Sequence, residues 1–279
     1  LTMSCTEFTM FRKHYDITDL EILDGCYFQT EIGIFDEYID YFQEMKQNNT
    51  GALRQIAKYF LNNLYGKLAS SSISNYKVFV LGEDKLLKFT TVFARDKEVG
   101  HIACGAAITA YAKAYTLTNA QKLNEVGNND YCDTDSCHCD DVENPEEHLK
   151  IDSKELGAFK IESKWDKAFF IRQKTYIEHI IWEDGEYLPK DKQYYKICCA
   201  GLPARCKQFL DWSLRGSSEE EMKNEKPNLY FTMSDEEKEF CLTKREMTDF
   251  KPGFTIPGKL VPRQIPGGVV LTSTPFTYK

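Results

Sequence analysis

The chain has 279 residues, of which 42% are hydrophobic and 13% aromatic, so it can bury a sizeable core and is not an intrinsically disordered protein. A net charge of −8 argues weakly against a nucleic-acid partner, so any polyanion-binding site should be local. The sequence has no run of about 18 apolar residues, so no membrane-spanning helix is expected. Ten scattered cysteines indicate reduced cytosolic thiols rather than a disulfide framework. Because the first residues do not begin with Met or form a signal-peptide core, we expect a fragment of a longer protein.

Helices and hairpins alternate in the first half of the chain. The patterns predict a short helix over 6–15, a strand with a glycine bend over 19–31 and a helix over about 34–45. Thr50 is the candidate N-cap of a longer helix over about 51–70. A hairpin around Gly82 and a helix over 103–123, rich in small residues, should follow.

The second half predicts strands, charged segments and loops. Residues 168–189 are typical of two strands joined at Asp184–Gly185, a favourable hairpin dipeptide. The charged stretches 217–228 and 234–240 should be solvated, as an insertion or a mobile segment. Five prolines from Pro252 onward predict loops and short strands. The mixture indicates an α+β fold.

The helix predicted over 53–66 has two distinct faces. With about 3.6 residues per turn, Arg54, Lys58, Asn62 and Tyr65 share one stripe. We expect the opposite, apolar face to pack inward; it consists of Leu53, Ile56, Ala57, Phe60 and Leu64. The polar stripe suits a nucleoside triphosphate, because cations neutralise phosphates and an aromatic ring stacks on a sugar or base. An ordinary solvated helix face is the alternative.

Five aspartates are crowded into residues 130–141. A tight hairpin here would bring Asp133 and Asp135 to its tip, where paired carboxylates suit a hard divalent cation. One alternative is a structural acidic turn. Another is a zinc site, for which the spacing is unusual because no second pair of cysteines completes it; its candidate ligands are Cys132, Cys137, His138 and Cys139.

A third element is the alternating stretch 169–179. On a strand, Arg172, Lys174 and Tyr176 would share one face. Such a face could bind a phosphate backbone through charge and hydrogen bonds. A solvated strand face is the alternative.

Together these three elements resemble the motifs of family B DNA polymerases. Residues 58–66, KYFLNNLYG, resemble motif B; residues 131–136, YCDTDS, resemble motif C; and residues 174–176, KTY, resemble the Lys-x-Tyr motif. Their order also agrees, and the similarity is greatest to the protein-primed branch of small Bacillus podophages and linear plasmids. Segments 51–58, 172–177, 199–201 and 266–271 extend the resemblance over nearly the whole chain.

The resemblance implies templated transfer of dNMP to a primer 3′-hydroxyl or to a hydroxyl of a terminal (priming) protein, with two Mg²⁺ or Mn²⁺ ions. It makes Asp133 and Asp135 the catalytic metal ligands, Asp135 the more direct of the two, with Glu162 as a further metal candidate. It assigns dNTP binding to Lys46, Arg54, Lys58, Asn62, Tyr65 and Gly66. It assigns primer and template DNA contacts to Thr134, Arg172, Lys174 and Tyr176.

The resemblance also implies a right-hand polymerase fragment with an antiparallel palm sheet. Its parts would be an upstream insertion or palm segment (1–33), fingers (34–69), a second terminal-protein-region insertion (70–102), palm (103–204) and thumb (205–279). In the family, that insertion closes a ring around DNA. The exonuclease portion and the first catalytic motif, Asp-x2-Ser-Leu-Tyr-Pro, are not found in the chain, so it alone should be inactive. Two departures are Cys198, where the branch has a thumb-base lysine, and the acidic stretch 217–239, which would repel DNA unless it points outward.

Other interpretations remain open at this point. The chain could be a non-catalytic DNA-binding remnant, one half of a split polymerase or a zinc-binding interaction module. A reverse transcriptase fits less well, because its hairpin has adjacent aspartates whereas Thr134 separates them here. The resemblance implies no membrane partner and a place in the host-cell cytoplasm, or alternatively in an organelle or on a cytoplasmic linear plasmid.

Overall fold

The computed structural model of the chain describes residues 1–71, 73–94 and 100–279. The chain divides into two compact units. Unit 1 comprises Leu1–Val80 and Lys88–Ala158, and unit 2 comprises Leu81–Leu87 and Phe159–Lys279. Of the insertion predicted over 70–102, residues 72 and 95–99 lie outside the described residues. No helix in the described ranges is long and apolar enough to cross a membrane.

Helices and two hairpins lie in the first part of the chain, up to Ala158. The helices are α1 (Cys5–His14), α2 (Asp36–Asn48), α3 (Gly51–Leu68) and α4 (Ile102–Asn124). The strands are β1 (Ser74–Leu81), β2 (Leu87–Ala94), β3 (Asn128–Asp133) and β4 (Ser136–Asp140). They form the pairs β1–β2 and β3–β4. The predicted helices and the hairpin around Gly82 are confirmed.

Helix α1 is fixed by a capping box and by an ion pair to α4. Ser4 accepts a hydrogen bond from the Glu7 amide, while the Glu7 carboxylate accepts from the Ser4 amide. The same carboxylate lies 2.8 Å from the Lys113 ammonium. The hydrogen bonds from Lys113 and Ser4 lower the pKa of Glu7 to about 2. This arrangement stabilises the start of the helix.

Helices α2 and α3 pack through aromatic side chains. The rings of Phe42 and Phe60 stack at 4.6 Å, and the Tyr38 hydroxyl donates to the Phe60 carbonyl. Of the predicted apolar face of α3, only Ala57 is fully buried, whereas Leu53 remains 53% exposed. The prediction that this whole face packs inward is therefore wrong: α2 covers only part of it. Thr50 is the N-cap residue, but its side chain makes no capping hydrogen bond.

The strand predicted over 19–31 is wrong, because this stretch forms no helix or strand. Its apolar side chains are exposed; Ile22, Leu23 and Tyr27 are 79%, 85% and 97% accessible. Strand formation needs a neighbouring strand to satisfy the backbone donors and acceptors. None of the described strands pairs with this stretch, so its alternating apolar residues do not lead to a strand.

Helix α4 needs a small residue where it meets the end of α3. A Cβ atom added at Gly105 would lie 2.8 Å from the Ala69 Cβ, closer than two such atoms pack. At its N-terminus, the His101 ring nitrogen Nδ1 accepts the Cys104 amide at 3.2 Å. The close approach at Gly105 therefore brings the start of α4 against the end of α3.

Unit 2 is built on a four-stranded antiparallel sheet and a helical layer. The strands are β5 (Ser163–Arg172), β6 (Thr175–Glu183), β7 (Glu186–Tyr187) and β8 (Tyr194–Cys199). The helices are α5 (Ala204–Arg215), α6 (Glu219–Glu225), α7 (Pro227–Tyr230) and α8 (Asp235–Leu242). Strands β9 (Thr255–Ile265) and β10 (Gly268–Thr277) form a separate hairpin. In the sheet, β6 pairs with β5, β7 and β8.

The core of unit 2 lies between the sheet, α5 and the C-terminal segment. Ile177, Phe209, Trp212, Phe250 and Tyr278 are at most 1% exposed. At about 25 cal/mol per Å² of apolar surface, each such side chain contributes roughly 1.5–3 kcal/mol by burial. This cluster therefore holds the sheet, the helices and the chain end together.

Two sequence predictions about the sheet need correction or refinement. The turn at Asp184–Gly185 is confirmed, with both residues at positive φ (50° and 98°), and joins β6 to the short β7. The main strand pair, however, turns earlier: Arg172 pairs with Thr175, and Lys174 lies in the turn at φ 56°. The prediction that Arg172, Lys174 and Tyr176 share one strand face is therefore wrong.

The acidic stretch is an ordered part of unit 2. Ser218 with Glu221 and Ser234 with Glu237 form capping boxes that start α6 and α8. One face of this stretch is buried in the core, with Met222 fully buried. Most charged residues of the stretch are exposed, as predicted. The prediction of a mobile segment is wrong, because the stretch forms helices whose recurring apolar residues are buried.

The C-terminal prolines do not prevent long strands. Strands β9 and β10 have 11 and 10 residues, and Pro262 pairs with Leu271 within them. The prediction of loops and short strands is wrong here. A two-stranded hairpin has two open edges, so a proline can lie where its missing amide is not needed.

Candidate active site

The predicted aspartate hairpin is present at the end of α4. Cys132 pairs with Cys137 and Asp133 with Ser136, which leaves Thr134 and Asp135 as the two turn residues. Thr134 has φ 55°, the left-handed conformation that a tight turn requires. The Thr116 hydroxyl of α4 donates to the Thr134 carbonyl at 3.0 Å and holds the turn against the helix.

The two carboxylates at this tip differ in their surroundings. The half-buried Asp133 accepts hydrogen bonds from the Thr134 hydroxyl at 3.0 Å and the Tyr131 hydroxyl at 3.4 Å. Asp135 is exposed, and within the described residues its carboxylate has no hydrogen bond or ion pair. The Asp133 carboxylate is held by hydrogen bonds, and the Asp135 carboxylate is accessible to solvent. Carboxylates two residues apart on a turn that is fixed to a helix offer the oxygen ligands that a hard cation prefers.

The four candidate zinc ligands do not converge. The thiols of Cys132 and Cys137 lie 3.8 Å apart, and Cys139 contacts the same Asn129 side chain as Cys132. Because side chains alternate along a strand, His138 projects from the opposite face of β4 to its neighbouring cysteines. Burial first, then the negative charge of Cys132, raises the pKa of Cys137 to about 12. In the described parts of the chain, no three or more His, Cys, Asp or Glu side chains are grouped to hold a metal, so neither the four zinc candidates nor the aspartates form a complete ligand set by themselves.

The predicted triphosphate cations are brought together in unit 1. The Arg54 guanidinium donates to the Lys46 carbonyl at 3.2 Å, which links the end of α2 to the start of α3. Burial lowers the pKa of Lys46, and the positive charges of Arg54 and Lys58 lower it further. The hydrogen bond from Arg54 to Lys46 and the one-turn spacing of Arg54 and Lys58 on α3 place the three cations near one another, where a bound anion would relieve their repulsion.

The remaining nucleotide candidates follow along α3. Asn62, Tyr65 and Gly66 are all exposed, and Tyr65 keeps 39% of its surface accessible. They occupy successive turns beyond Lys58 on the polar side of the helix. The stripe predicted from the sequence is therefore open to a ligand along its length.

The primer and template candidates of the Lys-x-Tyr motif lie in unit 2. The Lys174 carbonyl accepts the Ala200 amide at 3.0 Å, so the turn is tied to the end of β8. Tyr176 is 9% exposed on β6, with its ring 5.6 Å from that of Phe170. Arg172 is exposed at the end of β5, and Glu162 is exposed just before that strand begins.

Sequence reasoning missed three side chains that support these candidates. Thr116 anchors the hairpin turn, Tyr131 hydrogen-bonds Asp133, and the Tyr278 ring lies under Arg172. Tyr131 could have been found, because it lies two residues before Asp133 on the same strand face. Thr116 and Tyr278 carry no sequence signal, since their partners are distant in the chain.

Residues 2–155 match the family described as DNA polymerase type B, organellar and viral. The chain belongs to this family. Its resemblance to the polymerases of Bacillus phages and its identity as an α+β right-hand polymerase fragment are confirmed.

Similar proteins come from several phages. The DNA polymerase of Bacillus phage PZA is 32% identical over 287 residues, covering all of this chain and 44% of that protein. The DNA polymerase of Streptococcus phage Cp-1 is 34% identical over 177 residues, covering 63% of this chain and 30% of that protein. The structure of phi29 DNA polymerase with primer-template DNA and incoming nucleotide matches with a TM-score of 0.75 at 31% identity, covering 99% of this chain and 43% of that one. The chain thus spans less than half the length of these polymerases.

Proposed function

We propose that the chain is the C-terminal catalytic portion of a protein-primed DNA polymerase, which transfers dNMP from a dNTP to a primer 3′-hydroxyl or to a hydroxyl of a priming protein. The observation that carries this proposal is the turn bearing Asp133 and Asp135, held to α4 by Thr116, in a chain where Lys46 at the end of α2 lies beside Arg54 and Lys58 of α3. The phage polymerases that it resembles over its full length support it.

Asp133 and Asp135 would hold two Mg²⁺ or Mn²⁺ ions, and Glu162 is a further candidate ligand. The donor set fits, because hard cations prefer carboxylate oxygens and Asp135 is open to solvent. When bound, such ions activate the attacking hydroxyl and stabilise the leaving pyrophosphate. Thr116 and Tyr131 would keep the turn and the Asp133 carboxylate in position.

The cations of α2 and α3 would bind the triphosphate. Lys46, Arg54 and Lys58 repel one another, so an anion with several negative charges relieves an unfavourable interaction on binding. Asn62 and Tyr65 would contact the nucleotide's sugar or base and the minor groove, and Gly66 would allow the backbone to approach closely. Catalysis would then depend mainly on positioning and charge neutralisation.

The Lys-x-Tyr turn of unit 2 would contact the primer and template. Arg172 and Lys174 offer cations to backbone phosphates, and Tyr176 offers a hydroxyl from a firmly packed ring. The Thr134 hydroxyl at the catalytic turn is the fourth primer contact. Phosphate contacts of this kind position a duplex without reading its sequence.

The division into a 1–33 segment, fingers at 34–69, insertion at 70–102, palm at 103–204 and thumb at 205–279 is part of this proposal. The hydrogen bond from the Gln264 amide to the Leu87 carbonyl supports it, because it joins the tip of the insertion hairpin to the tip of the β9–β10 hairpin. Polymerisation would also need a polypeptide carrying the first catalytic motif, a terminal protein as primer, and a setting such as the host-cell cytoplasm.

Primer extension with Mg²⁺, a primed template and dNTPs tests this function. The chain alone should not extend the primer, whereas a longer polymerase that contains it should, and Asp135→Asn in that polymerase should abolish extension while sparing duplex binding. Normal extension by the Asp135→Asn enzyme would refute the assignment. Duplex binding by the chain without any dNTP binding would instead indicate a DNA-binding remnant.

A further inference from the structure

The exposed cation Arg172 lies against a buried aromatic ring. Its guanidinium carbon is 5.0 Å from the centroid of the Tyr278 ring, which is itself 1% exposed. This distance falls within the range of about 6 Å over which a cation is attracted to an aromatic face. Among the described residues Arg172 makes no ion pair with a carboxylate, so the ring is the contact that restricts its direction.

Tyr278 is a rigid support. Its ring stacks on Phe250 with centroids 4.9 Å apart, and Phe250 is fully buried. Its backbone is held on both sides: the Tyr278 amide donates to the Phe254 carbonyl at 2.8 Å, and the Tyr278 carbonyl accepts the Gly253 amide at 2.7 Å. The ring therefore cannot follow the arginine if that side chain moves.

The surface beside Arg172 is suited to an anion. Arg172 ends β5 at a turn that contains Lys174, and the Lys174 carbonyl ties this turn to Ala200. The positive charges of Arg172 and Lys207 both act on the buried Cys199 thiol, although burial outweighs them and raises its pKa. A fixed guanidinium at this place can meet a phosphate without first losing its rotational freedom.

We propose that Tyr278 is a positioning residue for DNA binding: it orients Arg172 toward the phosphate backbone of the primer-template duplex. This inference rests on the proposed function, because it assigns Arg172 to that surface. A mobile arginine loses rotamer entropy when it binds a phosphate, and the ring removes part of that loss in advance. The phenol oxygen of Tyr278 is not needed for this role, since the aromatic face makes the contact.

Fluorescence anisotropy of a labelled primer-template duplex, titrated with the full chain over a range of salt concentrations, tests the proposal. Tyr278→Leu should weaken binding about three- to tenfold. It should also reduce the slope of log affinity against log salt by up to about 0.9, the value for one phosphate contact. Tyr278→Phe should bind like the parent. In an Arg172→Gln background, Tyr278→Leu should cause no further loss.

A matched control is Phe240→Leu, which removes a mostly buried ring under Arg245, at 4.0 Å, in the same unit. It should lower thermal stability without changing the salt slope. Equal losses from Tyr278→Leu with and without Arg172 would overturn the proposal. So would unchanged binding by Arg172→Gln, a result that stands even if Tyr278→Leu does not fold. If the parent chain binds no duplex at all, the proposed function itself fails, which is a distinguishable outcome.

Discussion

Replacing Glu237 by Gln should destabilise unit 2 by about 3 kcal/mol. Glu237 is 3% exposed, and its carboxylate accepts hydrogen bonds from Arg205 at 2.7 Å, the Ser273 hydroxyl at 3.0 Å and the Ser234 amide at 3.0 Å. Removing one partner of a buried ion pair typically costs about 3–5 kcal/mol, because the other charge is left uncompensated. Arg205 retains its bonds to Thr232, which places the expected loss at the lower end.

Thermal unfolding followed by circular dichroism measures this loss. At about 2–4 °C per kcal/mol for a protein of this size, the midpoint should fall by roughly 6–12 °C. Glu236→Gln is the matched control, since it removes the same charge from the exposed neighbouring position and should shift the midpoint by less than about 2 °C. Equal shifts for the two variants would show that the acidic segment is not held to the core by this ion pair.

Three further predictions concern unit 1. Glu7→Gln should destabilise α1 by about 1 kcal/mol at neutral pH. Because the pKa of Glu7 is lowered to about 2 in the folded chain, the difference in unfolding free energy between parent and variant should be present above the unfolded pKa and disappear as the pH falls toward 2. Urea unfolding at several pH values measures this difference. Thr116→Val should cost about 1 kcal/mol by removing the hydrogen bond to the Thr134 carbonyl, and a Thr109→Val variant on the exposed side of α4 gives the comparison. The affinity for a nucleotide should decline as the pH rises through the lowered pKa of Lys46, whereas the affinity of Lys46→Arg should not change with pH in that range. Titration with a fluorescent dNTP measures both affinities, and identical pH profiles for the parent chain and the variant would contradict this prediction.

Local sequence patterns predicted the elements whose stabilising contacts lie nearby in the chain. The period of apolar residues located α2, α3 and α4, and the tight spacing of Asp133, Thr134 and Asp135 located the hairpin turn. The grouping of Lys46, Arg54 and Lys58 was predicted from a helical stripe and from motif positions, and the hydrogen bond from Arg54 to the Lys46 carbonyl joins the two helices that carry them. These features depend on spacing within one element or between adjacent elements.

Features that depend on distant partners were not predictable. The alternation over 19–31 does not form a strand because no described strand pairs with it, while the proline-rich C-terminus forms long strands because β9 and β10 pair with each other. The turn at Lys174 contains no glycine, so no residue type marked it. The apolar residues of the acidic segment are buried only because α5 and the chain end lie beside them.

Mn²⁺ binding to the full chain, followed by electron paramagnetic resonance, tests the central claim most directly. Asp135→Asn should weaken the binding of Mn²⁺ by at least about tenfold, as expected when a charged ligand to a hard cation is lost. Asp140→Asn, at the exposed far end of the same hairpin, should bind like the parent chain. Equal Mn²⁺ affinity for the parent chain and Asp135→Asn would contradict the assignment of the catalytic metal site to this turn.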